Sequence, residues 1–182
     1  MRVITGSRRG RKLKTLDTLD TRPTTDMVKE AVFSAIQFDV PGAKVLDLFA
    51  GSGQMGIEAL SRDAEHCVFV DNNPAAVQII KDNISDCKFV AESRVLNMES
   101  LEYLKVAKGD FDIVLLDPPY SKGTLEKVLP MLDRILSGRA VVVCEHEKEL
   151  ELADEYGRLV KHKRYKYGKI AVTIFKIPTE EE

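Results

Sequence analysis

Residues 45–56 read Val-Leu-Asp-Leu-Phe-Ala-Gly-Ser-Gly-Gln-Met-Gly, an apolar run that breaks into glycines and then turns helical. A segment of this kind is a buried strand, a tight turn and a helix start in immediate succession. A strand apolar on both faces needs helices above and below it, which commits the chain to an α/β architecture around a parallel sheet. The remainder of the sequence obeys that commitment. Strands are expected at Val45–Phe49, Cys67–Asp71, Arg94–Leu96, Phe111–Leu116, Ala140–Cys144, Leu159–Tyr165 and Ile170–Lys176. Helices fit between the first five, at Gln54–Arg62, Pro74–Ser85, Glu99–Ala107 and Leu125–Leu136. The last two strands are separated only by Lys166-Tyr167-Gly168-Lys169, a hairpin turn, so the sheet should end in an antiparallel pair.

Ahead of this region, Met27, Val28, Ala31, Val32, Ala35 and Ile36 step by three and four, which predicts an amphipathic helix over residues 25–37 with Thr24 or Thr25 as its cap. Pro41-Gly42 ends it. The 182 residues suit one domain, and 44% hydrophobic with 31% charged residues supply a core that needs no disulfide or metal. Three unpatterned cysteines, Cys67, Cys87 and Cys144, fit a reducing cytoplasm. Neither a membrane span of about 18 apolar residues nor a signal-peptide core is expected. The net charge of −2 conceals an uneven distribution. Residues 1–14 carry Arg2, Arg8, Arg9, Arg11, Lys12 and Lys14 with no acid, while Glu180-Glu181-Glu182 closes the chain. Exposed charges decouple beyond a Debye length of about 8 Å, so the basic end acts locally, either as a nucleic-acid contact or as a solvated terminus.

Gly51, Gly53 and Gly56 match G-x-G-x-x-G, and Asp71 follows Gly51 by 20 residues at the end of the next strand. That pattern suits an adenosine cofactor with Asp71 on the ribose hydroxyls, NAD included. Asp47 separates the alternatives. A carboxylate just before the glycine turn would face a pyrophosphate unfavourably, whereas the ammonium and sulfonium of S-adenosylmethionine suit it. The other reading of Asp47 is a loop brace that accepts backbone N–H groups.

A second motif follows the apolar run Phe111–Leu116. Asp117-Pro118-Pro119-Tyr120 holds two prolines, which fix the backbone and remove two donors, leaving a carboxylate, an outward carbonyl and an aromatic ring at the strand's end. This set suits the exocyclic amine of a nucleobase. Its lone pair is delocalised, and two acceptors, the Asp117 carboxylate and the Pro118 carbonyl, can turn that lone pair toward a methyl donor. Tyr120 can stack on a base that has left its helix. The other reading of the motif, taken alone, is a tight loop with a core tyrosine.

With both motifs, the chain resembles the RsmD family of bacterial methyltransferases, which act on guanine N2 of 16S ribosomal RNA with S-adenosylmethionine. The resemblance runs from about Arg2 to Phe175 and rests on Arg2-Val3-Ile4-Thr5-Gly6 and Gly10-Arg11, on residues 22–33 (Arg-Pro-Thr-Thr-Asp-Met-Val-Lys-Glu-Ala-Val-Phe), on Leu46–Gly53, on Glu58–Arg62 and on Asp117–Tyr120. It implies a class I methyltransferase fold, Rossmann-like and seven-stranded with an antiparallel last strand. One domain, 1–182, would comprise a basic hairpin arm (1–20), a cofactor-covering helix (21–40) and the core (44–177). Asp117, Pro118 and Tyr120 would be catalytic. Asp47, Phe49, Gly51, Ser52, Gly53, Asp71, Asn72, Asn97, Met98, Arg22 and Thr24 would bind the cofactor, and Arg2, Arg8, Arg9, Arg11 and Lys12 the RNA. The implied partner is 16S rRNA or the assembling small subunit, met by a cytoplasmic monomer without metal. Asn97 stands where the family more often has Asp, Asp63 where it has Gly, and Gln54-Met55 replaces smaller residues.

Other features fall outside these motifs. His66, His146 and His162 are scattered without metal-ligand spacing. Glu145-His146-Glu147 ends a strand near the substrate edge, and Lys161, Lys163, Arg164, Lys166 and Lys169 alternate with Tyr165 and Tyr167 on the terminal hairpin. The rival functions are a DNA adenine-N6 or cytosine-N4 methyltransferase, which would want a separate recognition region, an NAD-dependent oxidoreductase, which leaves Asp117–Tyr120 idle, and a non-catalytic RNA-binding module.

Overall fold

The computed structural model describes residues 1–16, 25–120 and 122–179, so Arg22, Thr24 and the acidic tail lie outside the described residues. Among the described residues, eight strands form one sheet: β1 (Lys44–Asp47), β2 (His66–Asp71), β3 (Ser93–Asn97), β4 (Phe111–Leu116), β5 (Leu136–Glu147), β6 (Glu155–Tyr156), β7 (Leu159–Tyr167) and β8 (Ile170–Lys176). Their order is β3-β2-β1-β4-β5-β8-β7-β6. The first five are parallel, and β8 runs antiparallel between β5 and β7. The fold class read from the strand–helix alternation is therefore the observed one. The eighth strand is a correction. Glu155–Tyr156 adds a two-residue edge to β7, too short to carry any periodicity of its own.

The helices are α1 (Asp26–Ala35), α2 (Gln54–Ser61), α3 (Pro74–Asp86), α4 (Ser100–Val106) and α5 (Thr124–Val128). Thr25 caps α1, its side chain accepting from Val28 N–H. The helix expected over Leu125–Leu136 is instead a short α5 followed by two 3-10 turns, Leu129–Met131 and Asp133–Ile135. Pro130 accounts for this, since it lacks the N–H that the next helical turn requires. Strand alternation then divides the core in two. Val45, Phe69, Ile113, Leu115, Val141, Val143 and Ile174 meet α1, α2 and α3 on one face. Leu46, Val70, Val114, Leu116, Val142 and Phe175 meet α4 and α5 on the other.

The basic terminus is folded. Val3 N–H donates to Arg11 O at 2.9 Å, Gly10 N–H to Val3 O at 2.9 Å and Leu13 N–H to Met1 O at 3.0 Å, closing a hairpin whose Val3 and Leu13 are buried. Its dock is the carboxylate of Glu58 on α2, which accepts from Ile4 N–H (2.8 Å), Thr5 N–H (2.9 Å) and Arg62 Nε (3.0 Å). Lys29 of α1 reaches the same joint, with Nζ 3.9 Å from Glu58 and 2.6 Å from Arg2 O. Both Lys29 and Glu58 are 0% exposed. Burial lowers the Lys29 pKa, opposed by the Glu58 charge. Arg62 also lies over the Phe33 ring, tying α2 to α1.

Gly6 makes this contact possible. Its φ is +88°, and a Cβ there would stand 1.7 Å from Ser61 O, while Ser7 N–H donates to that oxygen at 2.8 Å. Gly6→Ala should displace the arm from α2, costing about 2–3 kcal/mol by urea unfolding and raising amide exchange at Val3 and Leu13. Gly10→Ala has the same kind of backbone angle but no neighbour within 4 Å, and should cost only about 1 kcal/mol.

Candidate active site

Every strand from β1 to β5 delivers its carboxyl end to one edge of the sheet, where ligands bind in open α/β folds. At the end of β1, Asp47 is 4% exposed and accepts Gly56 N–H at 3.0 Å. It thus braces the glycine loop, the role left as its alternative in the sequence reading. Burial, opposed by the Gly56 bond and reinforced by the Asp71 charge, pushes its carboxyl up to about 7. Gly51 and Gly53 both have positive φ, and a Cβ on Gly51 would enter open space, so the loop presents bare backbone there. Gly56 has a different task. A Cβ on it would stand 2.4 Å from the Phe69 ring and 2.7 Å from Cys67 Sγ, so its absence lets α2 lie against β2.

Asp71 ends β2 and holds two loops at once, accepting Gly51 N–H at 2.8 Å and Asn73 N–H at 2.9 Å. Asn97, at the end of β3, is exposed and donates its amide to Asp71 O at 3.0 Å, and Met98 N–H donates to the same carbonyl at 3.1 Å. Asn72 donates to Glu99 at 2.8 Å. Phe49 is half-buried against the α4 side of the core. Ser52 donates to Met1 Sδ at 3.4 Å, which brings the arm to the rim of the glycine loop. On this evidence Asp47, Phe49, Gly51, Ser52, Gly53, Asp71, Asn72, Asn97 and Met98 gather around one edge.

Asn83 of α3 was missed by the sequence reading. It is 1% exposed, donates to Ser52 O (2.9 Å) and Lys14 O (3.0 Å), and accepts Lys14 N–H (2.8 Å), so it clamps the glycine loop to the arm. The available signal was a lone amide on a helix face otherwise made of Ile80 and Ile84.

After β4, Asp117 and Tyr120 are half-buried and Pro118 is buried. Beside them lies a pocket lined by Pro118, Tyr120, Lys122, Glu126, Glu145 and His146. A wider polar cleft, formed by Lys44, Asp110, Asp112, Ser137 and Arg139, opens at the amino ends of the strands and is unconnected with this edge. Among the described residues, no group of three or more His, Cys, Asp or Glu is placed to hold a metal ion.

The basic residues separate into two kinds. Arg8 donates from Nε to Cys87 O at 2.6 Å and lies 4.9 Å over the Phe89 ring, so its guanidinium is engaged within the fold. Arg2 is exposed and pairs with Asp26 at 3.3 Å. Arg9, Arg11 and Lys12 are exposed. On the terminal hairpin, Lys161 binds Leu152 O and Asp154, and Arg164 binds Glu151 and Lys148 O, which makes them structural cations.

Strand order with a reversed β8, a glycine loop after β1 and an acidic end to β2 make this a class I methyltransferase fold of the S-adenosylmethionine-dependent type. Within that class the chain belongs to the family described as Conserved hypothetical protein 95, whose model matches residues 1–176, the family of the RsmD methyltransferases. Its relatives include YlbH of Bacillus subtilis (strain 168), named provisionally as an rRNA methyltransferase, at 41% identity over 97% of this chain and 98% of that one. Ribosomal RNA small subunit methyltransferase D of Haemophilus influenzae is 36% identical over 90% of this chain and 88% of its own. Among solved structures, yhhF of Escherichia coli superposes with a TM-score of 0.89 at 33% identity, covering 99% of each chain.

The buried Asp47 has a thermodynamic signature. Because its folded pKa is raised, the folded chain keeps a proton that the unfolded chain releases near pH 4. Its stabilising contribution is complete below that pH and is lost as pH rises through about 7. Relative to Asp47→Asn, the wild type should lose roughly 2–3 kcal/mol between about pH 5 and pH 8, read from urea midpoints.

Proposed function

We propose that this protein transfers a methyl group from S-adenosylmethionine to the exocyclic N2 of a guanine in small-subunit (16S) ribosomal RNA. The observation that carries this reading is an adjacency. β1 and β4 are hydrogen-bonded neighbours, so the glycine loop after one and Asp117–Tyr120 after the other open side by side, about 4.8 Å apart at the strand level. A site for an adenosine cofactor and a clamp for an aromatic amine are thereby set against each other.

The residues present suit the cofactor. Bare backbone at Gly51 admits close approach, Asp71 can accept from ribose hydroxyls, and Asn97 keeps its side-chain oxygen for the adenine amine, because its amide nitrogen is already bonded to Asp71 O. Phe49, Asn72 and Met98 complete the rim, and Asp47 supports the loop from beneath. When bound, S-adenosylmethionine supplies a sulfonium-activated methyl group. Asp117 and the Pro118 carbonyl accept the two N2 protons, which localises the nitrogen lone pair for in-line attack. Transfer would form the N–C bond and break the methyl–sulfur bond, whose electron pair stays on sulfur in the departing S-adenosylhomocysteine, and Asp117 would take the surplus proton of the amine. Tyr120 stacks on the extruded base. The names of the Haemophilus influenzae and Escherichia coli relatives, small-subunit rRNA methyltransferases, support this substrate. The proposed setting is the cytoplasm, where a monomer would act on rRNA or the assembling subunit, and the three free, buried cysteines fit a reducing compartment.

Nucleoside mass spectrometry of rRNA from cells with and without the protein should show N2-methylguanosine lost from the small subunit in its absence. Asp117→Ala should fail to restore it and lower turnover at least about 100-fold, with cofactor affinity unchanged by calorimetry. Retained turnover would refute the assignment.

The arm should hold the phosphate backbone through its exposed cations. Neutralising Arg9, Arg11 and Lys12 together should weaken RNA binding and flatten its salt dependence by about 0.7–0.9 log units per lost contact, read by filter binding over a salt series. Base choice should not change, because phosphate contacts carry little sequence information. Arg8→Ala should act through stability, since that side chain anchors the arm to Cys87 and Phe89.

A further inference from the structure

The end of β5 carries a carboxylate that the reaction above does not use. Glu145 is 7% exposed and lines the pocket beside Pro118 and Tyr120. The parallel register pairs Leu115 with Val143 and Leu116 with Cys144. Continued one step past the end of β4, that register would set Asp117 beside Glu145 at the ordinary strand spacing of about 4.8 Å. Alternation gives the two residues a common face. Ile113, Leu115, Val141 and Val143 beneath them belong to one half of the core, and Val114, Leu116, Val142 and Cys144 to the other.

The strand end that bears Glu145 is held firmly. His146 is buried, with Nδ1 2.8 Å from Glu147 O and Nε2 2.8 Å from Thr173 Oγ1. A carbonyl can only accept, so Nδ1 carries the proton and Nε2 accepts from the threonine hydroxyl. Burial lowers the His146 pKa and favours this neutral form. The histidine therefore pins β5 to β8 at the level of the pocket.

Resting on the proposed function, we propose that Glu145 is the specificity-determining residue that reads the target base as guanine, its carboxylate accepting the N1–H beside the amine held by Asp117 and the Pro118 carbonyl. Guanine places N1–H and its 2-amine side by side as donors, so two adjacent acceptor groups match that edge. Adenine and cytosine set an unprotonated ring nitrogen next to their amine. An acceptor oxygen that faces that lone pair meets repulsion in place of a hydrogen bond. A site built to bond a substrate N–H discriminates strongly against an analogue that lacks it.

The test uses small-subunit particles reconstituted with rRNA carrying either guanine or 2-aminopurine at the methylated position. 2-Aminopurine keeps the 2-amine but has a bare N1. Wild-type protein should favour guanine by about 10–100-fold in kcat/KM. Glu145→Gln should lose much of the guanine rate yet improve on 2-aminopurine, because its amide can donate to the bare nitrogen, narrowing the ratio by about tenfold or more. Cofactor affinity should be unaltered. Equal wild-type rates on the two particles would overturn the role without any variant, and so would a Glu145→Gln loss that is the same on both. Wild-type protein that methylates no guanine in either particle would instead refute the proposed function on which the role rests.

Discussion

The carboxylate of Glu58 is the joint on which the rest of the molecule depends. It sits at 0% exposure on α2, the helix that the glycine loop begins, and receives two backbone N–H groups from the arm, the Arg62 guanidinium and the charge of Lys29. A buried carboxylate this well supplied with donors offsets its desolvation, whereas the same group with one partner missing would be strongly destabilising. The arm, α1 and the helix that follows the glycine loop are consequently one mechanical unit. A short basic hairpin could not remain ordered on Val3 and Leu13 alone.

The glycine loop is held by a related device. Two carboxylates, Asp47 and Asp71, each accept backbone N–H groups from the loop or its neighbour, one from below and one from the side. Asn83 closes the third side through Ser52 O. The loop's shape is thus set by the protein before any ligand arrives, which lowers the ordering cost of binding. It also gathers acceptor oxygens at one edge of the sheet. Asp47, Asp71, Asp117 and Glu145 stand at the ends of four neighbouring strands, and an amine with N–H groups to donate suits that edge.

Much of the site was legible because its motifs are local. Asp117-Pro118-Pro119-Tyr120 is rigid by its own covalent geometry, and the spacing from Gly51 to Asp71 follows from one βαβ unit. The basic arm was legible as charge but not as structure. Arg8 and Arg9 are adjacent and chemically identical, yet one is engaged with Cys87 O and the Phe89 ring and the other is exposed. Hairpin alternation and the position of α3 decide between them, and neither is written in a run of six cations.

The sequence by itself determined the alternation of strands and helices, the reversed last strand, the glycine loop and the proline-stiffened loop, since all of these follow from periodicity, turn chemistry and backbone restriction within about 30 residues. Tertiary structure alone decided that Glu58 and Lys29 meet in the interior, that Asn83 clamps two distant loops, and that Glu145 shares a pocket with Pro118 and Tyr120. Each of these brings together groups tens of residues apart in the chain. Which polar side chain is buried beside which depends on strand order and register, quantities that the whole sheet sets together.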